Sequence, residues 1–498
     1  MTSPTATRTE SPLISTGIPA LDEVLGGGLT RHRFYMLQGF PGSGKTTLAL
    51  QFLMEGVKQG ESVLYVTLSE TEEETRAIAA SHGWTLEGVQ VLEVVPSEKT
   101  LSPEEQYTVF QPDEVELSET TKAILTEVEL RRPTRAVFDS LSELRLLAGS
   151  PLRYRRQMLG MKQYFAGRRC TVLVLDDLTG TNEDPQLQSI AHGVVELSQE
   201  TPLYGSERRR LRVVKYRGMQ FVGGHHDFRI ERGGLRVFPR LVAASHRGES
   251  MAGHLGSGVV ELDQLLGGGI ERGTSTLLSG APGTGKSTIA VQYAIAAARR
   301  GERAAVYLFD ESVATLRKRL RGLNIDIEPL LGSGNLTLQQ VDPAELSSGE
   351  FAHMAGRVAH VEKASVIVID SLNGYLNAMP NDRMLQVQLH ELVTYLGQCG
   401  TATLLVSVHR GLVGANIDSP VDASYLADTV IMLRYFEAGG QVRSAISVLK
   451  KRSGPHERTL REFGIVDGEL QVGPPLERFQ GVLTGVPTFL GDDLPEMK

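Results

Sequence analysis

Two copies of one phosphate-binding motif dominate what this chain of 498 residues can fold into. The first reads Gly39-Phe40-Pro41-Gly42-Ser43-Gly44-Lys45-Thr46, the second Gly280-Ala281-Pro282-Gly283-Thr284-Gly285-Lys286-Ser287. Each follows an apolar strand-like run and opens a helix-like one, the context that a G-x-x-x-x-G-K-[ST] loop requires. The glycines let backbone N–H groups wrap a phosphate. The lysine reaches the β- and γ-phosphates, and the Thr or Ser hydroxyl ligates Mg²⁺. The candidate nucleotide contacts are Gly39, Gly42, Ser43, Gly44, Lys45, Thr46 and Thr47, with Gly280, Gly283, Thr284, Gly285, Lys286, Ser287 and Thr288 in the second copy. ATP and Mg²⁺ are the expected ligands.

The duplication extends beyond the loops. Leu21-Asp22-Glu23-Val24-Leu25-Gly26-Gly27-Gly28 recurs as Leu262-Asp263-Gln264-Leu265-Leu266-Gly267-Gly268-Gly269, 241 positions later, and the P-loops share that offset. So long a period means two whole domains in tandem, expected at 1–246 and 247–498 with a polar break near Ala243–Ser257. Asp139 and Asp370, each closing an apolar run, are only 231 positions apart. The first copy therefore carries about ten extra residues, expected as a surface loop within the acidic stretch Ser97 to Thr121. Strand-like runs at Phe34–Gln38, Ser62–Leu68, Ala136–Phe138 and Thr171–Leu175 alternate with helix-like ones at Thr46–Val57 and Glu72–His82. The second half repeats the order at Ser275–Leu278, Ala304–Leu308, Val366–Ile369 and Ala402–Val406, with Ser287–Ala297 as its first helix. Such alternation predicts α/β architecture with mostly parallel sheets and helices on both faces.

Composition removes several function classes. A net charge of −8 and a pI near 5.9 argue against a dedicated nucleic-acid binder. Cys170 and Cys399 are too few for a zinc module, and both read as core residues. No apolar run is long enough to span a bilayer, and Met1 to Glu10 lacks an apolar signal core. A cytoplasmic location is the expectation.

The remaining chemistry is carboxylate chemistry. Asp139 and Asp370 sit where a Walker-B Asp holds the Mg²⁺ shell, so the expected metal set is Thr46 and Asp139, then Ser287 and Asp370. Strand-terminal capping is the plainer alternative for both acids. Hydrolysis also needs a group that positions or deprotonates the attacking hydroxyl. Glu70, Asp310 and Glu311 are the candidates, just after the second strand of each half. Glu72, Glu73 and Glu74 read instead as acids favoured at a helix N-terminus.

The tandem P-loops, each opened by Leu-Asp-x-x-Leu-Gly-Gly-Gly or its Val variant, resemble the KaiC family of bacterial clock ATPases and autokinases. The resemblance runs from about Ile14 to Thr488 and implies RecA-like domains assembled as a homo-hexamer, with ATP between subunits and rings that can stack. Val448-Leu449-Lys450-Lys451-Arg452-Ser453 through His456 and Arg458, then Leu460-Arg461-Glu462-Phe463, is similar to the family's trans-acting segment. The resemblance therefore implies that Lys450, Arg452, His456 and Arg458 reach a neighbour's nucleotide, as do Lys215 and Arg217 in the first half. The family's acid pair falls on Asp310-Glu311 and, in the first half, on Ser69-Glu70, where one acid is missing. The family's self-phosphorylated Ser-Thr pair falls on Ser424 and Tyr425. A Tyr hydroxyl projects further than a Thr hydroxyl and disturbs an in-line attack tuned to a short alcohol. A KaiB-like or signalling partner is implied. KaiA is not expected, because the chain stops at Lys498, soon after the segment Phe479 to Thr488.

Two rival readings stand beside this one. A RecA- or RadA-like DNA-dependent ATPase needs DNA-contacting basic loops, for which the cluster Arg208-Arg209-Arg210, with Glu207 before it and Arg212 after it, reads rather as a solvated surface face. A nucleotide-sensing ring scaffold without kinase activity needs ATP only to assemble.

Overall fold

A computed structural model of the protein describes residues 12–94, 112–178, 185–245, 252–377, 385–409, 425–466, 468–483 and 487–490. Its contacts divide the chain into two compact units, Met1–Arg240 and Leu241–Lys498. Leu241 and Ala243 pack into the second core, and the Ala243 N–H donates to Glu391 Oε2 at 3.1 Å. The change of core thus falls ahead of the polar run at 245–250.

Each unit is built on one nine-stranded sheet. In the first, the strands run Val89–Glu93, Val63–Thr67, Arg135–Asp139, Thr171–Asp177, Phe34–Gly39, Gly193–Glu200, Arg208–Tyr216, His226–Glu231 and Gly234–Phe238 from edge to edge. The first six are parallel, and the last three add on antiparallel. The second unit repeats this order with Leu336–Gln340, Ala304–Leu308, Val366–Asp370, Ala402–Val408, Ser275–Gly280, Thr429–Ala438, Gln441–Lys451, Arg461–Val466 and Glu469–Pro475. These are tandem RecA-like α/β domains, with a mostly parallel sheet between helices.

The strands read as continuous apolar runs because both sheet faces are buried. Side chains alternate between two cores. Tyr35, Leu37, Val63 and Tyr65 enter one, and Phe34, Met36, Leu64 and Val66 the other. The second unit does the same, with Ala304 and Val306 on one side and Ala305 and Tyr307 on the other. The expected helices form at Lys45–Lys58, Glu72–Ser81 and Lys286–Arg299. Thr71 and Glu74 close a capping box on the second of these, which gives the acidic start of that helix its structural role.

The extra segment of the first half is only partly the loop its polarity suggests. Residues 95–111 lie outside the described residues, but Pro112–Arg131 is a helix of 20 residues. It opens with Pro112 and acids, which suit a helix N-terminus. Ile124 and Val128, one turn apart, are its buried anchors, so its apolar stripe is too thin to stand out in the sequence. Cys170 is buried and Cys399 half-buried, both as free thiols. Among the described residues no helix is long and apolar enough to cross a membrane, and no cluster of three or more metal-ligating side chains occurs.

Arg135 is an unforeseen clamp at the start of its strand. It is fully buried and lies over the Phe52 ring at 4.8 Å. Its guanidinium donates to Ser15 O at 2.8 Å and Phe52 O at 2.9 Å, and it pairs with Glu61. Removing it takes a donor from the Ser15 and Phe52 carbonyls and leaves Glu61 with Arg31 alone among the described residues, at 3.0 Å. Arg135→Met is expected to cost about 3 kcal/mol in the first domain. Denaturant unfolding, followed as separate transitions for the two domains, checks this; a loss below about 0.5 kcal/mol contradicts the clamp.

Candidate nucleotide-binding sites

Both P-loops sit where a parallel strand turns into a helix. Gly44 and Gly285 take φ of 99° and 95°, a left-handed conformation that glycine adopts without penalty. A Cβ at either position meets a side chain closely, Ile230 at 2.7 Å and Phe463 at 2.6 Å. The left-handed conformation favours glycine at both positions, and at Gly285 the Phe463 ring adds a steric reason.

In the first unit, Lys45 Nζ donates to Gly39 O and Phe40 O, both at 2.9 Å. It also pairs with Asp177 Oδ1 at 2.7 Å. Thr46 Oγ1 donates to Asp139 Oδ2 at 2.7 Å, and the Tyr65 hydroxyl donates to the same oxygen at 2.7 Å. Burial pushes the Asp139 carboxyl above its ordinary range, against the pull of those two hydroxyls. Thr47 turns elsewhere, with its hydroxyl 3.3 Å from His82 Nε2. Glu70 lies close enough to Asp139 to feel its charge. Burial, then Asp139, raises the Glu70 carboxyl, and its Oε2 is buried with no hydrogen-bond partner among the described residues.

The second unit keeps the loop and changes its surroundings. Lys286 Nζ and Thr284 Oγ1 both donate to Ala281 O, at 2.7 and 2.9 Å. Burial pushes the Lys286 amine down to about 8. It also lifts the Asp370 carboxyl to about 6, against a hydrogen bond from Ser287. Asp370 Oδ2 is buried and has no hydrogen-bond partner among the described residues, an oxygen that a cation beside Ser287 would satisfy. The two acids after the second strand are both engaged: Ser371 Oγ donates to Asp310, and Glu311 pairs with Arg319 at 2.5 Å. Arg319 also donates to Thr288 Oγ1 at 3.0 Å. Glu70 has no such clamp.

Lys215, Arg217, Lys450 and Arg452 lie at the other end of each sheet from the P-loops. Register fixes this. Gly39, at the P-loop, is level with Leu197, whereas Tyr35 is level with Gly193, which faces Tyr216. Lys215 and Arg217 flank Tyr216, four strand residues from the loop, about 13 Å. They hold the carbonyls of Gln188 and Ser189. Lys450 faces Val430 at the matching end of the second sheet and donates to Ala427 O at 2.7 Å. Arg452 holds Asp428 Oδ1 at 3.2 Å and Tyr425 O at 2.9 Å. His456 is half-buried and Arg458 exposed. Tyr425 is half-exposed and lies beside Arg452; Ser424 lies outside the described residues. Arg209, Arg210 and Arg212 are ion-paired with Glu207, Asp227 and Glu196, so this run is a paired strand surface.

Asp177, Tyr65 and Arg319 were not singled out from the sequence. Tyr65 hides inside an apolar strand. Arg319 reads as one of several basic positions on its helix. Asp177 ends a strand as Asp139 does, and the doublet Asp176-Asp177 was the one available signal.

A family model described as ATPase: KaiC matches residues 14–242 and 255–477. The circadian clock protein KaiC3 of Synechocystis sp. is 26% identical over 489 residues, covering 96% of this chain and 94% of its own length. The circadian clock oscillator protein KaiC of Picosynechococcus sp. is 28% identical over 494 residues, covering 96% and 93%. Its namesake from Synechococcus elongatus is 27% identical over 490 residues, covering 96% and 92%.

A pH prediction comes from Lys286. Above about 8 its amine loses the charge that draws phosphate. In a Lys45→Ala chain, where the second loop reports alone, ATP affinity is expected to fall about tenfold per pH unit above that point. Binding titrations across pH test this, and an affinity that stays constant to about pH 10 contradicts it.

Proposed function

The chain belongs to the KaiC family of ATPases, and from that premise we propose a ring that binds ATP between copies, hydrolyses it in both domains and phosphorylates itself in the second. The observation that carries this is the separation of each P-loop from its basic segment. Lys215 and Arg217, like Lys450 and Arg452, lie at the opposite end of the sheet from their own loop. A cation so placed serves a nucleotide only when a second copy brings its P-loop to it. There it completes the charge around the γ-phosphate, as an arginine finger does. A homo-hexamer is the closed arrangement proposed, with His456 and Arg458 reaching the same neighbour.

Each domain then divides the work. Lys45 and Lys286 hold the β- and γ-phosphates, within loops whose backbone N–H groups cradle them. Thr46 with Asp139, and Ser287 with Asp370, are the residues that would hold Mg²⁺, which when bound neutralises phosphate charge. Glu70 is the proposed proton acceptor of the first domain, because burial raises its carboxyl towards the range useful for a general base. Asp310 or Glu311 fills that role in the second domain. The hydroxyl they activate belongs to water, or to Ser424 or Tyr425 of a neighbouring copy. Tyr425 shares its end of the sheet with Arg452, which favours phosphorylation between copies. The names of the relatives support a role in timing or related signalling, with a KaiB-like or signalling partner. DNA-dependent ATPase action is disfavoured by the ion pairing of Arg209, Arg210 and Arg212.

Two measurements test the reading. Peptide-mapping mass spectrometry after incubation with Mg-ATP is expected to find phosphate on Ser424 or Tyr425, and none in Lys286→Ala. ATP consumption without phosphate on the chain contradicts the autokinase step. In a Lys286→Ala background, Glu70→Gln is expected to slow turnover about 100-fold, the usual worth of a general base. Unchanged turnover removes Glu70 from catalysis.

A further inference from the structure

The two P-loop lysines are held differently. An ammonium has three protons to donate. On Lys45 the partners are Gly39 O, Phe40 O and the Asp177 carboxylate, so all three are used. Lys45 is 7% exposed and Asp177 24%. The neighbouring Asp176 is engaged elsewhere, by Arg145 Nη2 at 2.6 Å and Gln38 Nε2 at 3.1 Å. Among the described residues, Asp177 has besides the lysine only a long contact of 3.5 Å from Ser142 Oγ. In the second unit, strand register puts Val408 level with Gly280, where the first unit has Asp177 level with Gly39. Lys286 accordingly has no carboxylate at ion-pairing distance among the described residues, and its amine bonds to Ala281 O.

We infer that Asp177 makes the first site prefer a nucleoside diphosphate over a triphosphate, relative to the second site. The inference rests on both loops being nucleotide sites. A γ-phosphate must displace the Asp177 carboxylate from Lys45 or share the lysine with it. Sharing sets two anions side by side in a partly desolvated site, where their repulsion is poorly screened. A diphosphate ends one group earlier. Its β-phosphate is held chiefly by the loop N–H groups, so it needs the lysine less. Val408 imposes no such competition in the second domain. Asp177 thus acts as a selectivity residue that shifts the balance from triphosphate towards diphosphate in one half of the molecule only.

The test uses the full chain, with fluorescent ADP and a fluorescent non-hydrolysable ATP analogue, each with Mg²⁺. Lys286→Ala reports the first site and Lys45→Ala the second. The first site is expected to show the higher ratio of triphosphate to diphosphate dissociation constants. In the Lys286→Ala chain, Asp177→Asn is expected to tighten the ATP analogue about tenfold, the worth of one charge-assisted contact, and ADP much less. In the Lys45→Ala chain, Val408→Asp is expected to do the reverse. If Asp177→Asn fails to fold, the Val408→Asp arm decides alone. Equal shifts for both nucleotides, or none, overturn this inference and leave the two ATP sites standing. No binding of either nucleotide to any of the chains overturns the ATP-site reading as well.

Discussion

The register of the parallel strands is the constraint on which both sites depend. Parallel pairing sets Gly39 level with Asp177, and Thr67 level with Asp139. It sets Gly280 level with Val408, and Leu308 level with Asp370. Residues far apart in sequence therefore meet at the carboxyl end of each sheet, the edge where open α/β sheets bind ligands. A slip of one residue would turn every side chain to the other face. It would also carry Asp139 away from Thr46. The two buried faces of each sheet hold the register, because alternate side chains enter separate cores and neither set tolerates exchange.

The same register separates the loops from their basic segments. Lys215 and Lys450 lie near the amino ends of the parallel strands, where no P-loop of their own domain reaches them. Geometry of this kind favours chemistry shared between copies. It also explains how Tyr425 lies beside Arg452 without lying near the second P-loop.

Much of this was legible in the chain itself. Glycine spacing and flanking runs marked both loops, since φ values near 100° favour glycine at Gly44 and Gly285. The alternation of strands and helices was readable for the same reason as the cores: buried strands are uniformly apolar. The helix Pro112–Arg131 was missed because its buried stripe is thin and its composition polar. Asp177, Tyr65 and Arg319 were missed because their partners are set by strand adjacency and helix packing, which spacing along the chain does not encode. The two halves, alike in motif, differ through those residues. Glu70 is unclamped and Lys45 is paired; Glu311 is clamped and Lys286 is not.

The most direct test of two working sites per chain is the amount of nucleotide released when the protein, saturated with Mg-ATP and freed of excess, is denatured. The account predicts two nucleotides per chain, falling to one in either Lys45→Ala or Lys286→Ala. One nucleotide per chain in the unaltered protein, or a count that neither substitution lowers, would contradict it.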